Sequence, residues 1–267
     1  MSILEIAAVL LAGVGAGVIN AVVGSGTLIT FPTLLALGVP PVTANMSNSL
    51  GLVPGSVAGA VGYRRELTGQ RARVARLLVF STAGGVLGAV LLLVLPPGAF
   101  RAVVPVLILA GVVLVIVQPR LARYVATRAA ARNGGPPSGE PAWWVPPAVF
   151  GTGIYGGYFG AAQGVLLMGV LGIGIDDGLQ RLNGIKNVLV AVVNGIAGLI
   201  FVCCAELGLL GTHAQAQVDW LLVLLIGVGA TIGGFAGAAL GRRLPPIVLR
   251  TVIGVVGLVA VATLLLR

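Results

Sequence analysis

The sequence predicts an all-α polytopic membrane protein. It reads as two inverted-topology repeats, about five membrane segments each, with short helices that break inside the apolar zone. Three observations predict this. Of the 267 residues, 58% are hydrophobic and 9% charged, and the mean hydropathy is +1.09, whereas a soluble domain carries about 25% charged residues. Apolar runs of about the 20 residues that cross a bilayer recur along the chain. Landmarks of the first half return in the second. So little polar surface excludes a soluble enzyme and a disordered protein. The net charge of +9 reads as membrane topology and not as a nucleic-acid partner, because the arginines cluster between apolar runs. The partner that the composition requires is the lipid bilayer.

The first run, residues 3–23, reads as a true span, because no basic stretch precedes it and no cleavage site follows. It stops at Gly24-Ser25-Gly26-Thr27, and a shorter run, 28–39, ends at Pro40-Pro41. The next runs are 42–62, closed by Tyr63-Arg64-Arg65-Glu66; 74–95, closed by Pro96-Pro97; and 102–117. Residues 118–141 have linker composition, with Arg120, Arg123, Arg128 and Arg132 followed by a Gly/Pro-rich stretch. The second half gives 143–159, broken at Gly160-Ala161-Ala162-Gln163-Gly164, then 165–175, 187–204, 220–240 and 247–266. Trp143, Trp144 and Trp220 stand at span ends, where interfacial aromatics belong. The domain division is therefore 1–118, a first transmembrane repeat; 119–142, a cytoplasmic linker; and 143–267, a second repeat. Cys203 and Cys204 are adjacent and read as small apolar fillers, with neither a disulfide nor a metal site in view.

The fourth and fifth runs superpose at an offset of 149 residues: Gly84-Gly85 on Gly233-Gly234, Gly88 on Gly237, Pro96-Pro97 on Pro245-Pro246 and Arg101 on Arg250. Near the breaks the offset is 140, which pairs Gly17 with Gly157, Gly24 with Gly164 and Gly55 with Gly195. Charge orients the halves. Arg64, Arg65, Arg71, Arg73 and Arg76 follow the third run of the first half, whereas the matching loop of the second holds Glu206, His213 and Asp219. Arg242, Arg243 and Arg250 reverse that pattern one loop later. By the positive-inside rule the halves face opposite ways, which requires an odd number of crossings in each.

Matching broken helices in inverted repeats point to a secondary transporter. Backbone that leaves the helix inside a bilayer is tolerated only where protein or a water-filled cavity receives it. The freed N–H groups at a half-helix N-terminus favour an anion, because the helix dipole is positive there. Candidate donors at the breaks are Ser25, Thr27 and Gln163. A polar cluster follows each short segment: Asn45, Ser47 and Asn48 in the first half, Asn183, Lys186 and Asn187 in the second. Capping of the next helix by Asn or Ser explains one residue per cluster, not all of them. Lys186 is the one lysine of the chain and stands beside an apolar run, so it should face a cavity or a partner. Asn20 and Asn194 also lie within apolar runs, as interhelical glue or ligands. Neither a catalytic group, a metal cluster nor a cofactor motif accompanies these residues.

On these residues the chain resembles the sulfite exporter TauE/SafE family of bacterial membrane transporters. The resemblance rests on Gly24 to Pro32, Ala44 to Ser49, Val53-Pro54-Gly55-Ser56 and Gly62 to Glu66. In the second half it rests on Gly156 to Gly160 and Asn183 to Asn187. The family usually shows three glycines where this chain has Gly24-Ser25-Gly26, and a Gly is replaced within 160–164. The resemblance implies export or uptake of small sulfur-containing anions such as sulfite, thiosulfate or organosulfonates, across the bacterial inner membrane. The residues themselves carry the reading to secondary transport of a small anion, with an anion channel or a non-transporting scaffold as alternatives. They leave the coupling ion, any homo-oligomer and the direction of transport open.

Overall fold

The computed structural model describes residues 1–130, 140–207 and 217–240, and among them every regular element is a helix. In order these are α1 (Ile3–Val22), α2 (Thr27–Ala36), α3 (Pro41–Gly62), α4 (Arg71–Val94), α5 (Pro97–Ala130), α6 (Val145–Tyr158), α7 (Gln163–Gly174), α8 (Leu179–Leu207) and α9 (Trp220–Leu240). The expected last span at 247–266, the Pro245-Pro246 and Arg250 matches, Arg242, Arg243 and His213 lie outside the described residues. Among the described residues, five helical stretches are long and apolar enough to cross a membrane: Ile3–Val22, Arg71–Val94, Gly98–Arg120, Leu179–Cys204 and Trp220–Ala239.

Local chemistry sets several boundaries. Ser2 and Glu5 form a capping box at the start of α1, with Ser2 N donating to the Glu5 carboxylate at 2.7 Å. Asp219 caps α9, accepting from the amides of Leu221 and Leu222 at 3.0 and 3.1 Å. Two helices exceed their apolar runs. α5 continues through Pro119 to Ala130, into what composition reads as linker. α8 starts at Leu179, eight residues before the run that marks it in sequence.

α2 folds back along α1, so that Gly26 faces the Ala16 carbonyl and Gly15 the Ile29 side chain. α6 and α7 form a hairpin of the same kind, closed at its open end by a bond from Ala142 N to Gly174 O of 2.9 Å. Helices from the two halves interleave. α1 packs along α9, and α6 along α4; α3 lies against α9, α8 against α4, and α3 meets α8 at the centre. Two bundles result, α1-α3-α9 and α4-α6-α8, each drawing on both halves of the sequence.

The two glycine-lined crossings repeat each other contact for contact. Gly84 faces Phe150 and Ile154 as Gly229 faces Leu10 and Val14; Gly88 faces Ile154 and Tyr158 as Gly233 faces Val14 and Val18. α6 thus corresponds to α1 at an offset of 140, as expected from sequence, but α9 corresponds to α4 at 145. The sequence match at 149 is one helical turn out of register. A Cβ on Gly233 would collide with the Val14 carbonyl and one on Gly88 with the Ile154 carbonyl, backbone in both cases. Gly233→Val and Gly88→Val should each cost about 3 kcal/mol or more, read as loss of folded protein from detergent extracts.

Phe31 of α2, Phe100 of α5 and Phe159 pack edge to face, with ring centroids 5.1 to 6.5 Å apart. This aromatic cluster packs α2 and the end of α6 against α5, where the second break begins.

Candidate functional site

Both helix breaks are turns in the left-handed region. Gly24 (φ +89°) ends α1, and Gly160 (φ +76°) and Ala162 (φ +60°) separate α6 from α7. Ala162 stands in the segment where the family pattern loses a glycine, and it is the one non-glycine residue with positive φ among the described residues. The two breaks touch: Gly164 N donates to Gly24 O at 2.9 Å, and a Cβ on either glycine would collide with the other's backbone. Tyr155 supports the second break by donating its hydroxyl to the Ala161 carbonyl.

Each broken helix is capped by the polar cluster of the other half. At the end of α1, Lys186 Nζ donates to Asn20 O at 3.0 Å and to Ala21 O at 3.2 Å, and the side-chain amides of Asn183 and Asn187 donate to Ala21 O at 3.1 and 3.3 Å. At the end of α6, Asn45 Nδ2 donates to Tyr158 O at 3.0 Å. The clusters are therefore not N-caps of their own helices. α3 and α8 start upstream, and the polar residues lie inside them, facing the last carbonyls of a helix more than 100 residues away. Those carbonyls carry the negative end of a helix dipole, and a lysine is the strongest cap available to them.

The other expected residues divide. Asn48 is sewn to the first turn of α2: its Nδ2 donates to Thr27 Oγ1 at 3.2 Å, and Thr30 donates to its Oδ1. Ser25 stands just ahead of that turn with an unpaired Oγ, and Gln163 opens α7 with both carboxamide atoms unpaired. The amides of Ser25, Gly26 and Thr27 make no hydrogen bond with a described residue. Ser47 stands apart, because its Oγ accepts from Asp219 N at 2.9 Å, at the start of α9. Asn20 is interhelical glue, donating to Ser56 Oγ at 2.8 Å. Lys186, Asn45 and Ser47 are 0% exposed, and the remaining six expected residues are at most 6% exposed. Sequence reasoning missed Thr30, one turn beyond Thr27, and Ser56; the helical spacing to Thr27 was the available signal for the first.

The charges at the edge of the site pair among themselves. Asp177, between α7 and α8, accepts a hydrogen bond from Arg73 Nη1 at 2.7 Å and is ion-paired with Arg181 Nε at 2.9 Å. Burial pushes the Asp177 carboxyl up, but hydrogen bonds from Arg73, the Gly178 amide and Arg181 outweigh it and hold the group below its ordinary value. A carboxyl that is more acidic folded than unfolded stabilises the fold above its unfolded value, and that contribution fades as pH falls through its folded value. Asp177→Asn should therefore melt a few degrees below the parent at pH 7 and converge with it in acid, as followed by thermal unfolding at a series of pH values. Arg76 also reaches Glu140, at 3.5 Å. The Arg73–Asp177 and Arg76–Glu140 pairs place the start of α4, the segment before α6 and the α7–α8 turn on one face.

The family model described as Sulfite exporter TauE/SafE matches residues 9–264. The chain belongs to this family of membrane transporters. Among relatives of this TauE/SafE protein is the probable membrane transporter protein YfcA of Escherichia coli K12, 27% identical over 86% of the chain and 76% of the relative. The probable membrane transporter protein ORF9 of a Sinorhizobium species is 33% identical, over 36% of each chain. A probable membrane transporter protein of Haemophilus influenzae is 30% identical over 41% of this chain and 43% of its own. No solved structure matches.

Proposed function

We propose that this TauE/SafE protein is a secondary transporter of a small sulfur-containing oxyanion or organosulfonate of the sulfite, thiosulfate or sulfoacetate type, in the bacterial inner membrane. The observation that carries the reading is Lys186: a fully buried ammonium beside the first break, with no carboxylate partner among the described residues. A buried charge of one sign needs a counter-charge, and a bound anion supplies it. Ser25, Thr27, Asn45, Asn48, Gln163, Asn183 and Asn187 surround the two breaks as further donors. The amides of Ser25, Gly26 and Thr27 point from the positive end of α2. Ser47 belongs to the wider polar seam and supports α9.

The repeat division at 1–118, 119–142 and 143–267 fits this reading, with the halves inverted and the Arg73–Asp177 and Arg76–Glu140 face cytoplasmic. Access then alternates by rocking of the α1-α3-α9 bundle against α4-α6-α8 about the α3–α8 contact. Because α4 and α9 are exchanged between the halves, the moving bodies are these bundles and not the sequence halves.

The test is thermal unfolding of the detergent-purified protein with a panel of anions. A ligand of the folded state alone raises the melting temperature by mass action. Sulfite, thiosulfate or sulfoacetate should stabilise and chloride should not. A panel in which none of the sulfur anions acts at millimolar concentration overturns the substrate assignment.

A further inference from the structure

The end of α1 has the donor set of a cation site. The last carbonyls of a helix hold the negative end of its dipole, and in cation-coupled carriers such half-helix ends coordinate sodium ions or protons. Here Lys186 Nζ lies 3.0 Å from Asn20 O and 3.2 Å from Ala21 O, with the side chain 0% exposed. The Asn183 and Asn187 amides converge on the same Ala21 carbonyl, at 3.1 and 3.3 Å, and the Oδ1 atom of each has no hydrogen-bond partner among the described residues. Two main-chain oxygens at one positive charge are hard oxygen ligands of the kind an alkali cation takes.

We infer that Lys186 is a tethered cation, filling the seat that a coupling cation would take at the end of α1. Anion binding at the breaks then needs no sodium or potassium ion at that position. The inference rests on the proposed anion site for its consequence, not for its geometry. The matching end of α6 differs: Tyr158 O receives the neutral amide of Asn45 at 3.0 Å. Among the described residues the built-in charge is thus present at one break only. The acid that precedes α8, Asp177, is neutralised by Arg73 and Arg181.

The test uses the full-length protein in detergent. For the parent, the thiosulfate-induced melting shift should be the same, within about twofold in apparent affinity, in sodium and in N-methylglucamine salts. Lys186→Ala removes the ammonium and its methylene stem and leaves the Asn20 and Ala21 carbonyl oxygens facing a space. That variant should melt below the parent and recover with millimolar sodium or methylammonium chloride, but not with N-methylglucamine chloride. A parent that binds thiosulfate only in sodium overturns the inference. So does a Lys186→Ala protein that responds equally to all three chlorides. Should Lys186→Ala fail to accumulate, Lys186→Gln retains a shorter polar side chain at the same seat, and the parent's cation independence still decides. The chloride arms contain no thiosulfate, so rescue by small cations without any anion-induced shift would fault the substrate reading alone.

Discussion

Lys186→Met should leave a folded, membrane-inserted protein that no longer binds its anion. The structural cost is bounded by the hydrogen bonds lost. Ala21 O keeps two donors, Asn183 and Asn187, whereas Asn20 O loses its lysine. Losing such a charge-assisted cap costs about 1–3 kcal/mol, and no longer burying a charge offsets part of it. On the proposed reading the anion loses the counter-charge of Lys186, so its affinity should fall by about 10- to 100-fold. Methionine also fills the space that alanine leaves open, and added sodium should not restore it. Arginine brings charge but adds volume at a fully buried position, so it should bind weakly. Thiosulfate titration by thermal shift, with uptake into liposomes, measures both effects. Normal binding and transport by Lys186→Met and Lys186→Arg together would show that the charge serves neither purpose.

The importance of Lys186 was legible in the sequence; its role was not. A lone lysine beside an apolar run signals a buried charge, but its acceptors, Asn20 and Ala21, are 166 and 165 residues away. The start of α8 was missed for a related reason. Leu182, Ile185 and Leu189 form a buried apolar stripe on the same turns as Asn183, Lys186 and Asn187. A search for unbroken apolar runs stops at the polar face of such a helix, although the 3.6-residue period continues through it. Once α8 is extended to Leu179, the cluster ceases to be a cap of its own helix and becomes available to another.

The register of the repeat was lost by one turn because of the pattern that revealed it. Gly229, Gly233 and Gly237 recur every four residues on α9, and Gly84 and Gly88 do so on α4. A small residue at every turn lets two helix backbones approach, and it also makes the sequence nearly self-matching at a four-residue shift. Gly84 and Gly88 fall on glycines at offsets of both 145 and 149, so they do not separate the two. The backbone atoms that each glycine faces do so, because each turn of α1 or α6 presents a different carbonyl.

Gly164→Ala and Gly24→Ala should be the most damaging single-methyl changes at the site. The sequence pairs these two residues at an offset of 140, and the structure brings them into contact with each other. A residue meets its own counterpart where an axis relating two repeats passes between them, so this contact has no slack on either side. At Gly164 the new methyl would drive into the Gly24 backbone and strain the 2.9 Å bond between them, at about 1–3 kcal/mol or more. At Gly24 the same collision adds to a φ of +89°, which costs an L-residue roughly a further 1–2 kcal/mol. Gly24→Ala should therefore be the worse of the two. The double variant should not cost the sum, because the separation that admits one methyl partly admits the other. Gly151→Ala is the matched control: it lies on α6, is exposed and has no atom within 4 Å of its added methyl. Melting temperatures of the four proteins decide the point. A Gly164→Ala protein that melts with the Gly151→Ala control would mean that the breaks can part at little cost, and the contact could not then be what holds the two bundles in register.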